Sequence, residues 1–140
     1  MMFDQSLIGT TSDPETFTIT PEAVARFIEA TADPRAGEAQ RDPSYVPLTF
    51  PTTFRFANTR LGLDSTRMQL IHGEQEYRYA RPLRVGETLV CVSRVIDIRE
   101  KTGKSGVMNL ITSEIEGRDN LGEIAFSGRS VLIVRPRREE

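Results

Sequence analysis

The sequence predicts an α+β fold, an antiparallel sheet packed on or wrapped around a central helix. Three observations carry that reading. A strong helix start stands at Thr20-Pro21-Glu22, in the first half of the chain. From Gln69 onward the hydrophobic period changes from helical to two. Three long strand-like runs, joined only by short polar turns, then fill the sequence to its end, which makes an antiparallel meander.

Each element has its own reason. Phe17 and Ile19 alternate with Thr16, Thr18 and Thr20, a short β-prone run. Thr20 offers a hydroxyl cap, Pro21 has no N–H to lose at the first helical position, and Glu22 suits the helix dipole. Val24, Phe27, Ile28 and Thr31 mark one helical face, and Asp33-Pro34 stops the helix. Residues 33–49 hold Pro34, Gly37, Pro43 and Pro47 without periodicity, a long loop of the kind that is usually functional or mobile. A second helix is expected from Pro51, with Phe54, Ala57 and Leu61 along one side and Gly62 closing it. Gln75, Tyr77 and Tyr79 alternate with Glu74, Glu76 and Arg78, a half-buried strand with one wet face. Thr88–Arg99 is the next strand, and 100–106 reads as a polar hairpin loop. Val107, Asn109, Ile111, Ser113 and Ile115 share one side of the following strand, and Glu123–Arg135 is the last.

Composition sets the class. The 140 residues fit a single domain with one core, 1–140. With 38% hydrophobic and 27% charged residues the chain is ordinary for a globular protein and unlike a disordered one. A net charge of −2 with interspersed signs gives nucleic acid no footprint. One cysteine, Cys91, excludes an intrachain disulfide and a cysteine zinc site; within LVCV it is expected to be a buried small hydrophobe. No bilayer-length apolar stretch and no signal segment are present, so a cytoplasmic protein with no membrane partner is expected. No phosphate-binding glycine loop is present, and no cofactor is indicated.

The blocks PETFTITPEAVARFIEATADP at 14–34, FPTTF at 50–54 and HGEQEYRYARPLRVGETL at 72–89, with the meander after them, resemble the N-terminal half of MaoC-like dehydratases. Most narrowly, they are similar to the A-type subunit of the mycobacterial (3R)-hydroxyacyl-ACP dehydratases. The resemblance implies a hot-dog fold pairing as a double hot dog, with an acyl-thioester tunnel between the two halves. In that family a catalytic half carries a loop of the form Asp-x-Asn-Pro-(x)-His-x-Asp, whose Asp and His activate water at an enoyl thioester or assist the reverse dehydration.

Here the loop departs from the pattern. Asp33-Pro34 matches its opening, but Arg35, Ala36 and Gly37 follow where Leu and His would stand. The single histidine is His72, at the start of a strand. Acid–base work near neutral pH needs a group that takes and gives a proton within hydrogen-bond reach of the substrate, and an unperturbed carboxylate is almost fully ionised there. Asp33 and His72 are therefore catalytic only if the fold joins them. Otherwise Asp33 ends a helix and bonds loop N–H groups, and His72 fixes a loop-to-strand corner.

In hot-dog proteins the start of the central helix faces the thioester carbonyl, so Phe50-Pro51-Thr52-Thr53-Phe54 is the corresponding segment, with the threonine hydroxyls as added donors. The plain alternative is helix initiation with Phe50 and Phe54 in the core. Residues 51–63 hold no carboxylate, only Arg55 and Arg60 as ionisable groups, which counts against a thioesterase. Tyr45, on the long loop, joins Phe50, Thr52, Thr53 and Phe54 as a substrate-binding candidate. The leading expectation is a non-catalytic tunnel subunit of an (R)-specific enoyl-thioester hydratase or 3-hydroxyacyl-thioester dehydratase, taking acyl-CoA or acyl-ACP, with Asp and His from a MaoC-like partner. A self-sufficient homodimeric hydratase or thioesterase, and a non-catalytic acyl-thioester binding protein, are the alternatives.

Overall fold

A computed structural model describes residues 3–56, 61, 63, 66–104 and 106–138. Five strands form one curled sheet: β1 (Glu15–Thr18), β2 (Met68–Tyr79), β3 (Thr88–Gly103), β4 (Gly106–Arg118) and β5 (Ile124–Pro136), in the order β1-β3-β4-β5-β2 with antiparallel pairs throughout. The expected meander is β3-β4-β5. The strand that precedes it in sequence crosses over to pair with β5, so β2 forms one long outer edge and β1 a short one.

Helix α1 (Pro21–Thr31) forms where the cap signals put it. The Thr20 hydroxyl accepts from the Ala23 N–H at 3.1 Å, and Ala32, in the left-handed region at φ 48, returns its N–H to the carbonyls of Ile28 and Glu29. Its apolar face sits on one end of the concave side of the sheet. There Val24, Phe50, Phe54, Leu89 and Phe126 are buried in one cluster, with Phe17, Phe27 and Ile28 packed against them. A second cluster, Phe3, Val95, Ile98, Ile111 and Val134, fills the other end. Cys91 is fully buried, and burial pushes its thiol up to about 12, as an inert core residue requires.

Three expectations are corrected. The helix expected from Pro51 is a single 3₁₀ turn, Phe50–Thr53, after which Phe54 is extended at φ −73, ψ 115. The reason lies in the aromatics. Phe54 stacks on Phe17 at 4.6 Å and Phe56 meets the same ring edge-on at 5.5 Å. Residues two apart reach one partner from an extended chain, not from a helix. Of the remaining positions of that predicted helix, Ala57 and Gly62 lie outside the described residues, and Leu61 is half-buried against the second cluster. The long loop contains a helix, α2 (Ala36–Arg41), which buries none of its residues and so left no apolar stripe to read. Finally, the β3–β4 ladder continues to Gly103 opposite Gly106, so most of the expected hairpin loop is strand.

The turn between β2 and β3 is tied down from two sides. Arg81 forms a double contact with the Glu87 carboxylate and reaches Asp119 on the β4–β5 turn at 3.2 Å. Arg84 holds the base of the long loop through Ser44 Oγ at 3.1 Å, beside a β-bridge from Tyr45 to Arg84. The convex face carries exposed ion pairs such as Arg78–Glu76 and Arg129–Glu114, which keep it wetted and add little stability.

Candidate functional site

The end of α1 and the long loop form an open groove of about 260 Å³, lined by Thr31, Asp33, Arg35, Tyr45, Leu48 and Thr49 among others. Asp33 is held there by the chain itself. Its N–H donates to the Ile28 carbonyl at 3.1 Å, and its carboxylate accepts from the Arg35 N–H at 2.8 Å. That is an Asx turn, the local role a helix-stopping aspartate takes. Tyr45 stands in the same groove. Burial raises its phenol above the ordinary tyrosine value, and the charges of Asp33 and Glu38 add to the rise. The Tyr79 hydroxyl donates to the Leu48 carbonyl and so pins the groove's far lip to the last residue of β2.

His72 lies elsewhere. It is exposed on β2 opposite Leu132, its Nε2 3.1 Å from the Glu74 carbonyl oxygen, at the point where the β2–β5 register shifts. Tyr79 is the β2 residue that touches the groove, and His72 stands seven residues before it, about 23 Å of extended strand. The fold therefore brings Tyr45 to Asp33 but leaves His72 apart from both.

Phe50 and Phe54 are buried, and their rings meet each other edge-on at 5.9 Å. Phe50 also meets Phe27, and Phe54 meets Phe126. Thr52 and Thr53 are exposed on the 3₁₀ turn, and their hydroxyls donate back to the carbonyls of Thr49 and Phe50 at 2.8 and 2.9 Å. A four-residue turn lacks the aligned peptide dipoles of a long helix, and its threonine protons are already engaged.

A second space opens on the concave face, between the two apolar clusters. This cavity of about 180 Å³ has aliphatic walls from Leu61, Leu63, Val95, Ile111 and Leu132, and hydroxyls from Thr10, Thr11, Ser12, Ser93, Ser113 and Ser130. The sequence sets Ser113 on one side of its strand with Ile111 and Ile115, without assigning that side to the interior or marking a site there. The available signal was small hydroxyl residues at inward positions of otherwise apolar strands.

Residues 6–127 match the family model described as FAS1-like, dehydratase domain region. Among curated proteins, the chain is 29% identical over 155 aligned positions to a UPF0336 protein of Streptomyces avermitilis, covering 99% of each. It is also 29% identical to a UPF0336 protein of Thermobifida fusca, covering 87% of this chain and 86% of that one. Among solved structures, it superposes on a chain of the C-terminally truncated HadBC (3R-hydroxyacyl-ACP dehydratase) complex of Mycobacterium tuberculosis with a TM-score of 0.72 at 18% identity, covering 95% and 99%. A chain of the ChsH1-ChsH2 complex from the same organism gives 0.65 at 14% identity, covering 88% and 83%. The MaoC-like dehydratase of Rhodospirillum rubrum gives 0.60 at 20%, covering 98% and 99%. At these identities the structural likenesses speak for the fold, the family match for descent, and together they make the chain a MaoC-like hot-dog domain belonging to the FAS1-like dehydratase domain family.

Proposed function

We propose that this chain is the substrate-tunnel half of an (R)-specific enoyl-thioester hydratase or 3-hydroxyacyl-thioester dehydratase, and that a MaoC-like partner subunit supplies the catalytic Asp and His. The observation that carries the proposal is the separation of the would-be pair: Asp33 sits in a groove with Tyr45, while the one histidine is exposed on an outer strand. Proton transfer requires both groups within about one hydrogen bond of the substrate, a geometry this half does not provide by itself. The cavity under the sheet supports a role in holding the acyl chain of an acyl-CoA or acyl-ACP thioester. Strand β2 supports the partner. It is a 12-residue edge strand bonded on one side to β5, with Leu70 and Ile71 more than a third exposed. Such an edge needs a cover, and pairing it with the same edge of a second hot dog gives the double hot dog.

The test is co-expression with MaoC-like chains that carry an intact Asp/His loop, followed by hydration of crotonyl-CoA and longer enoyl-CoAs. The chain alone, sedimenting as a dimer, is expected to be slower than the complex by about 10²–10⁴-fold, the usual worth of general acid–base catalysis. His72→Ala leaves the complex's rate unchanged. A purified chain that hydrates crotonyl-CoA at full enzymatic rate, and loses that rate with His72→Ala, overturns the proposal.

A further inference from the structure

The cavity under the sheet has an unusual waist. One rung runs Val95–Ser113–Ser130–Gln75 across β3, β4, β5 and β2, so the two central strands set serine against serine. Both serines share the concave face with buried or half-buried aliphatics, Ile111 two residues before Ser113 and Leu132 two residues after Ser130. Ser93 and Ser12 extend the polar row at its side, the Ser93 N–H donating to Ser12 Oγ at 2.9 Å. The hydroxyls of Ser93, Ser113 and Ser130 bond to no other side chain or carbonyl among the described residues. One further polar group belongs to the same inward row of β4. Asn109, two residues before Ile111, is fully buried, and among the described residues neither its carboxamide nitrogen nor its oxygen has a partner.

A plain alkyl chain laid on this row would strip water from the hydroxyls and return no hydrogen bond. A hydroxyl or carbonyl oxygen would pair with them, since each serine both donates and accepts. The aliphatic walls meanwhile take methylenes. The cavity is far larger than the 10–15 Å³ that one water needs, so it has room for a segment of chain as well as the polar group.

We propose that the acyl chain taken up by this half carries an oxygen substituent, hydroxyl or keto, which binds at the Ser113–Ser130 row. The proposal rests on the tunnel reading and narrows its substrate class from acyl thioesters to oxygenated ones.

The experiment measures binding, so it needs no turnover. The full chain, as purified and again with its co-expressed partner, is titrated with lauroyl-CoA and with a matched set bearing one hydroxyl group at successive positions from C-6 to C-12 or one keto group from C-6 to C-11. At least one oxygenated isomer is expected to bind about tenfold tighter than lauroyl-CoA, the worth of a well-formed hydrogen bond at the upper end of its range. Ser113→Ala with Ser130→Ala is expected to remove that preference, with lauroyl-CoA bound at least as tightly as before because the alkyl chain no longer strips water from two hydroxyls. Ser130→Ala alone gives a partial loss and serves if the double variant folds poorly. Lauroyl-CoA binding as tightly as every oxygenated isomer overturns the proposal and leaves the tunnel reading standing. Binding of no acyl-CoA in either preparation overturns both.

Discussion

One end of the concave face and its waist are built on the same strands and packed in opposite ways. Under α1, the rings of Phe17, Phe54, Phe50, Phe27 and Phe126 interlock at centroid distances of 4.6 to 6.0 Å. Tyr79 adds its ring to Phe126 at 6.1 Å. At the waist, serines and aliphatics of ordinary size leave a cavity. Interlocked aromatics at such distances combine large buried area with preferred ring geometry. The difference separates packed rings from open space. Phe50 and Phe54, chosen from the sequence as tunnel residues, belong to the packed end, whereas the open space lies among residues with modest side chains.

The comparison breaks most visibly at Phe54. Truncation to Ala removes a ring that touches Phe17, Phe50 and Phe126, so a loss of about 3–5 kcal/mol in denaturant unfolding is expected. The chain-length preference of the partnered complex should stay as it was; a changed C4-to-C12 activity ratio with an intact melting temperature would move Phe54 from the core to the tunnel.

Gly117 probes the same end from the sheet side. It pairs with Phe126 across β4 and β5, and the Phe126 ring occupies the space a Cβ at 117 would need. Gly117→Ala forces that ring aside and is expected to cost about 1–3 kcal/mol. Unchanged stability in urea would show that the aromatic end is looser than its ring distances indicate.

The smallest expected effect is on pH dependence. Hydrogen bonds from Arg81 hold the Glu87 carboxyl below its usual 4.5. For Asp119 burial pushes upward, but bonds from Arg81 and from the Glu123 and Leu121 N–H groups outweigh it, and the carboxyl falls below 3.8. Depressed carboxyls contribute stability in full above their unfolded values and lose it as pH falls through the folded ones. The melting temperature is therefore expected to be level between pH 6 and 7 and to decline below about pH 4.5, where protonation begins in the unfolded chain. Glu87→Gln should flatten part of that decline, and calorimetry from pH 3 to 7 checks it. A variant with the wild-type profile would show that the clasp does not secure the turn.

Much of the fold was legible because it is local. Thr20-Pro21-Glu22 starts α1 through a cap, a missing donor and a dipole, and each acts within one turn of chain. Period-two alternation at Tyr77 and Tyr79 reports a strand with one dry face wherever that strand ends up pairing. The family blocks at 14–34, 50–54 and 72–89 carried the hot-dog fold as well, and the departure from the family's catalytic loop after Asp33-Pro34 is plain in the sequence. Other features were set by distant partners. Phe54 and Phe56 share Phe17 only once β1 lies beneath them, and that contact replaces a helix with extended chain. Helix α2 buries nothing, so no pattern recorded it. The Ser113–Ser130 rung depends on register between two strands, which no single strand's alternation specifies. The sequence by itself determined helix α1, the strands of the meander, the fold class and the missing histidine in the loop. Tertiary structure alone decided which aromatics close the core and where the cavity opens, because both depend on side chains far apart in the chain meeting across the sheet.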